Sequence, residues 1–389
     1  MPVKNRFAEL LPEITAWRRD FHEHPELLFD VHRTAARVEE LLRSFGVDEV
    51  VTGLGKTGVV GVIRGRTNAS GRTVGLRADM DALPIHEATG LDYASKTPGK
   101  MHACGHDGHT AMLLGAAKYL AETRNFDGTA VVIFQPAEEG GGGGRVMVED
   151  GLMSRFAIDE VYGMHNMPGI PVGSFAIRPG AMMAAADQFT ITITGKGGHA
   201  AKPHDCIDPI VIGSQIVVAL QTVVARNLDP LKNGVVSVCT FRPESESHNV
   251  IPQTVVLRGT ARSLAPEVRD LLETRVTEIA TGTAAMLGGR AEVVYERGYP
   301  VTMNDPQATE WAAAVADAVS GGQVDQTLMP LMGGEDFSYM LNERPGAYIF
   351  VGNGDTAMVH HPAYNFDDNA IPFGSSWYVG MVEERLKAA

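Results

Sequence analysis

Apolar residues recur along the chain with two different periods, and the change of period divides it. Phe7, Leu10, Leu11, Ile14 and Trp17 return every three or four positions, so Phe7 to Asp20 is expected to be a helix, with Pro25 marking its limit. Thr34 to Phe45 predicts a second helix, stopped by Gly46. Val59 to Arg64 and Thr73 to Ala78 are short β-rich runs joined by a turn over 65–71. Ala111 to Leu120 is apolar over a helical length. Ala130 to Gln135 is continuously apolar, as in a strand buried on both faces, and Glu160 to Asn166 is another strand. From Asp187 the texture changes. Phe189 to Thr194 alternates apolar and hydroxyl residues, the pattern of a half-exposed strand. A helix over 208–227 follows, then strands at Val235 to Phe241 and Thr254 to Arg262, a helix from Pro266 to Leu287 and a strand from Ala291 to Glu296. The order β-α-β-β-α-β is that of a ferredoxin-like sandwich. After Gly298 the first texture returns, with a helix at Ala308 to Val319 and a buried strand at Ala347 to Val351. The expectation is an α/β domain made of 1–186 and 299–389, with 187–298 inserted as a ferredoxin-like α+β domain whose alternating strands leave one sheet face for solvent or for a twin subunit.

Composition narrows the partners. A chain of 389 residues is long enough for two domains, and 44% hydrophobic with 21% charged residues is ordinary for a globular protein. The net charge of −14, with Arg18-Arg19 the longest basic run, argues against nucleic acid and anionic membrane surfaces. The most apolar window, Ile210 to Ala225, is interrupted by Ser214, Gln215 and Gln221, and reads as a buried helix too short and too polar to span a bilayer. No signal peptide is visible in residues 1–20. Three cysteines, Cys104, Cys206 and Cys239, argue for a reducing, cytoplasmic setting, with Cys206 and Cys239 expected to be core thiols.

Candidate chemistry concentrates in Met101-His102-Ala103-Cys104-Gly105-His106-Asp107-Gly108-His109. Thiolate and imidazole one residue apart suit a divalent metal. Asp79 and Asp81 close the run Arg77 to Pro84 at a strand end, where ligands bind in α/β sheets; Asp81 could orient a metal-bound histidine, and two solvated aspartates are the alternative. Glu138 and Glu139 leave the strand ending at Gln135 in different directions, so one can hold a metal while the other reaches a water. The glycines that follow are expected to form a loop open to close approach. His165 ends the next strand, and His360-His361 lies near the C-terminus, His360 being favoured as a ligand. His22 and His24 are expected to bond locally or line an entrance. Glu335-Asp336 is a further acidic pair in a glycine-bearing loop. Gly53 to Gly58 is not a phosphate loop, because Val50 stands where a glycine is required.

These segments, together with Gly195-Lys196-Gly197-Gly198-His199-Ala200 and Gly333-Gly334-Glu335-Asp336-Phe337, resemble the aminoacylase and hippurate hydrolase branch of the dinuclear metallopeptidase-like amidohydrolases (metallopeptidase family 20). That branch includes plant auxin-conjugate hydrolases and bacterial N-acetyldiaminopimelate deacetylases. The resemblance runs in order over nearly the whole chain. It implies a mixed-sheet, zinc-peptidase-like catalytic domain and two divalent ions (Mn, Zn, Co or Ni) on Cys104, His106, Glu139, His165 and His360. It implies Glu138 as base, His199 as a donor to the tetrahedral intermediate, often in the partner subunit's site, and Asn249 and Arg262 as contacts for the substrate's oxyanion or carboxylate. A homodimer or dimer of dimers through the inserted domain is expected from it.

The expected reaction is hydrolysis of N-acyl-L-amino acids to a carboxylate and a free amino acid. A dipeptidase, or a deacylase of an acylated diaminopimelate, would use the same site. A metal-stabilised binding protein would lack a base or a ligand, and none is missing. A cysteine hydrolase built on Cys104 would leave the spread of carboxylates and histidines unexplained.

Overall fold

The computed structural model describes residues 5–387. The chain forms two compact units, one running up to Met182 with Met303–Met329 and Asp336 onward, the other comprising Met183–Thr302 and Pro330–Glu335. Residues 330–335 join the second unit, outside the expected insertion, because their backbone pairs there: Ala184 N–H donates to the carbonyls of Leu331 and Gly333 at 3.0 and 2.9 Å.

The first unit opens with α1 (Asn5–Glu23) and α2 (His32–Ser44). Phe7, Leu10, Ile14, Trp17 and Phe21 form the buried stripe of α1. Then come β1 (Glu49–Leu54), β2 (Gly58–Arg64), β3 (Thr73–Asp79), α3 (His106–Thr123), β4 (Thr129–Gln135), α4 (Gly143–Glu149) and β5 (Glu160–Met167). The sheet is mixed: β1, β2, β4, β3, β5, Gly346–Gly352, Phe175–Ala176 and Val324–Asp325 lie side by side in that order. β3, β4, β5 and Gly346–Gly352 run parallel, while β2 is antiparallel to both β1 and β4. Every residue of β3 and of Gly346–Gly352 is buried, as expected for strands covered on both faces. Several elements of this unit departed from expectation. The pattern hid β1, α4 starts inside the glycine run, and Ile371–Arg385 is a buried C-terminal helix.

The second unit is a four-stranded antiparallel sheet, ordered Gly234–Pro243, Thr254–Ser263, Ala185–Thr194, Arg290–Tyr299, with helices Pro209–Thr222 and Pro266–Met286. This is the ferredoxin-like arrangement. The helix expected to be buried is half so. Ile212, Ile216 and Leu220 face the core, whereas Val211 and Val218 are 53% and 65% exposed. Nor is it too short and polar for a membrane: Pro209–Asn227, with its π-helical end, is long and apolar enough to cross one by length and composition. What places it is packing on the sheet. Cys206 and Cys239 are not core thiols: Cys206 is half-buried beyond a 3-10 turn, and Cys239 is exposed where the edge strand bulges between Val238 and Thr240.

Candidate metal centre

The C-terminal ends of four parallel strands deliver the candidate residues to one edge of the sheet. Asp79 to Asp81 end β3, Glu138 and Glu139 follow β4, His165 ends β5, and His360 lies beyond Gly346–Gly352. Ligands collect at this edge in open α/β sheets. Helix α3 starts at His106 itself, and its N-cap, Gly105, has φ 90°. A Cβ there would sit 2.2 Å from Asn166 Nδ2 and 2.5 Å from Tyr364 Oη, so only glycine fits between Cys104 and His106. His360 also has positive φ, 68°, and its N–H donates to Ala103 O at 2.7 Å.

The donors converge. Cys104 Sγ lies 3.3 Å from His165 Nε2. Glu139 reaches His106 Nε2 with Oε1 at 3.8 Å and His360 Nε2 with Oε2 at 3.6 Å. Three overlapping sets each have their donor atoms within 4.8 Å of one another: Cys104, His106 and His165; Cys104, Glu139 and His360; His106, Glu138 and Glu139. Sharing of Cys104 between two sets suits two neighbouring cations. His361 points away, its Nδ1 accepting from Ala363 N–H at 3.0 Å.

Backbone carbonyls set the tautomers. His106 Nδ1 lies 2.8 Å from Asp81 O and His165 Nδ1 lies 2.5 Å from Asn166 O. A carbonyl only accepts, so each Nδ1 carries a proton and each Nε2 faces the donor set, as in metal-ligating histidines. His106 Nε2 and Glu139 Oε1 are buried without a hydrogen-bond partner. Burial would lower His106, but Asp79, Asp81 and Glu139 outweigh it and raise it to about 10. Burial raises Glu139 to about 7. A pocket that keeps protons where lone pairs converge is one whose negative charge a cation would satisfy. Burial, then Glu139, Glu138 and Asp79, push the Cys104 thiol well above its ordinary range. The thiol sits within two donor sets that also hold histidines and Glu139, an array that a cysteine nucleophile would leave unexplained. The residues fit divalent metal.

Asp79 and Asp81 are both buried, not solvated. The Asp81 carboxylate accepts from the backbone N–H of Glu138 at 2.9 Å and of Glu139 at 3.2 Å; its carbonyl, not its carboxylate, makes the close contact to His106. Asp79 Oδ1 bonds His109 Nδ1 at 2.6 Å, and His109 Nε2 accepts from Asn166 N–H at 2.9 Å. Asn166 Nδ2 donates to Cys104 O at 2.6 Å, and Tyr364 O–H donates to Asn166 Oδ1 at 2.6 Å. Sequence reasoning gave no role to His109, Asn166 or Tyr364. The one available signal was that His109 stands three residues after His106 on the same helical face. His22 lines no entrance: it is fully buried, 2.8 Å from Asp107 and 3.2 Å from Glu87. His24 bonds locally, to Asp20 O. His102 is buried outside the converging sets.

On the second unit, His199 and Asn249 are neighbours, both exposed. His199 pairs with Val250, and Ala200 N–H donates to Asn249 O at 3.0 Å. Arg262 sits elsewhere, opposite Ala186 and Val235, with its guanidinium on Ala261 O at 3.0 Å.

A family model described as peptidase family M20/M25/M40 matches residues 75–384. A hippurate hydrolase of Campylobacter jejuni is 41% identical over 380 residues, covering 97% of this chain and 98% of its own. An N-acetyl-L-cysteine deacetylase of Bacillus subtilis is 42% identical over 380 residues, covering 97% and 89%. Among solved structures, a dinuclear metal-binding M20 peptidase of Bacillus subtilis superposes with a TM-score of 0.85 at 34% identity, covering 98% of this chain and 100% of its own.

Proposed function

The chain belongs to peptidase family M20/M25/M40, and from that premise we propose that it hydrolyses the amide bond of N-acyl-L-amino acids, as hippurate hydrolases and aminoacylases do. The observation that carries this reading is the buried Glu138 carboxylate beside a convergent set of five metal donors.

Cys104, His106, Glu139, His165 and His360 would hold two divalent ions, for which manganese, zinc, cobalt and nickel are the candidates. Such ions polarise a carbonyl and lower the pKa of water from about 15.7 towards about 7. Glu138 takes the proton of the attacking water and passes it to the leaving nitrogen. Water oxygen bonds the acyl carbon, the C–N bond breaks, and a carboxylic acid and a free amino acid result. Asp81 serves as a positioning residue, holding the amides of both glutamates. We assign His199 as oxyanion donor, in its own or a twin subunit's site, and Asn249 and Arg262 as contacts for the substrate's oxyanion or carboxylate. The exposure of His199 and Asn249, side by side, supports this.

A homodimer, or a dimer of dimers, through the second unit is part of the proposal. Gly234–Pro243 is an edge strand with a largely exposed second half, and an open edge pairs readily with another chain. Free thiols at all three cysteines support a reducing compartment, the cytoplasm.

The test is amino-acid release from a panel of N-acetyl and N-benzoyl amino acids and dipeptides, by protein stripped with chelator and then resupplied with each metal. Release that returns with metal is the expected result. Release by the stripped protein, or none with any metal, would refute the reading. Light scattering of the same sample gives the oligomeric state.

A further inference from the structure

The acidic pair in Gly333-Gly334-Glu335-Asp336-Phe337 has no part in the chemistry above, yet Asp336 is fully buried at its edge. Its Oδ1 accepts from Arg77 Nη2 at 2.9 Å and from Gln135 Nε2 at 2.7 Å. Its Oδ2 accepts from Gln135 Nε2 at 2.8 Å and from Gly144 N–H at 2.8 Å. Gln135 is the last residue of β4 and Gly144 lies in the first turn of α4, so one carboxylate ties together the two ends of the loop that carries Glu138 and Glu139. Arg77, also fully buried, braces the tie: Nε donates to Gln135 Oε1 at 2.9 Å and Nη1 to Asp79 Oδ2 at 2.7 Å. Inside the loop, Ala137 is held at φ 56° and its carbonyl accepts from Gly143 N–H at 3.0 Å. A Glu138 carboxylate oxygen lies within 4.8 Å of one of Asp336.

We propose that Asp336, braced by Arg77, is a positioning residue for Glu138: it closes the base of the loop 136–144 and so fixes where that carboxylate points. Asp81 holds the same loop at Glu138 and Glu139, leaving Asp336 to hold its far end. A glutamate on a glycine-rich loop samples many directions unless both ends are fixed, and proton transfer depends on its direction. The proposal rests on the amidohydrolase reading, since it needs Glu138 to be the base.

The experiment compares wild type with Asp336→Asn, both metal-loaded. Asparagine keeps the shape but turns one acceptor into a donor facing other donors. The expected result is a fall in kcat of about tenfold or more, KM within about threefold, two ions per chain by elemental analysis, and faster hydrogen exchange at 140–149. Should this variant not fold, Gln135→Met removes the glutamine's bonds to Asp336 and the one it accepts from Arg77, leaves the Arg77 and Gly144 bonds to Asp336 in place, and should give a smaller fall of the same kind. Unchanged kcat, unchanged exchange, or a loss of kcat that follows loss of metal would each overturn the proposal. A purely structural role would lower the melting temperature and leave kcat per metal-loaded chain alone. A wild type inactive on every substrate would overturn the amidohydrolase reading alone, and the exchange comparison would still decide whether Asp336 clamps the loop.

Discussion

Replacing Gly105 by alanine tests whether the ligand loop is built as described. At φ 90° the backbone lies in the left-handed region, which costs a non-glycine residue about 1–2 kcal/mol. The new Cβ would meet Asn166 Nδ2 at 2.2 Å and Tyr364 Oη at 2.5 Å, far inside contact distance. Both must move, and two buried hydrogen bonds go with them: Asn166 to Cys104 O and Tyr364 to Asn166, each 2.6 Å long. Each such loss leaves buried polar groups unpaired at roughly 1–3 kcal/mol. The total is on the order of 5 kcal/mol, a large part of the 5–15 kcal/mol typical of a domain. Damage should reach the metal donors, because Asn166 O sets the tautomer of His165 and Asn166 anchors the carbonyl of Cys104. Urea unfolding of the chelator-stripped protein and metal content after reloading are the assays. Tyr364→Phe in the Gly105→Ala background should recover little, since the closer clash, with Asn166, persists. A Gly105→Ala protein within about 1 kcal/mol of wild type, holding two ions, would refute the packing argument.

Cys104→Ala should lose metal, since two of the three converging sets contain the thiol; a full complement in that variant would sink the assignment. Glu138→Gln should keep both ions and lose turnover, and retained turnover would remove Glu138 as the base. Stability should also depend on His22. Burial works against its charge, but Asp107 and then Glu87 prevail over burial and Arg18, raising it to about 9 from 6.5. At about 1.4 kcal/mol per decade, that is roughly 3 kcal/mol. The contribution is complete below pH 6.5, declines as pH rises and is gone above about pH 9. The stability advantage of wild type over His22→Asn should therefore shrink between pH 6 and pH 9.5, and an advantage independent of pH would exclude a charged His22.

The elements with a clean period were legible in advance. The buried strands Thr129–Gln135 and Gly346–Gly352 and the α1 stripe follow from spacing alone. Ile371–Arg385 was not, because it is buried on nearly every side and has no polar face to give it a period. β1 was not, because Gly53 and its exposed neighbours read as a turn. The apolar helix Pro209–Thr222 misled because apolar composition says nothing about which face is covered.

The sequence by itself showed which residue types gather at the ends of elements. Glu138 and Glu139 follow one strand, His165 lies near the end of another, and Cys104 and His106 stand at the start of a helix, because a residue's type and its place beside an element are local properties. Only the tertiary structure decided what holds them. Asp336 is 201 residues from Gln135, Asn166 is 62 from Cys104, and Tyr364 is 198 from Asn166. No periodicity connects such positions. They meet because parallel strands bring distant segments to one edge, where a buried polar group must find a partner or destabilise the fold. The same geometry separates His360 from His361, adjacent and identical in type, by setting one beside Glu139 and the other in its own turn.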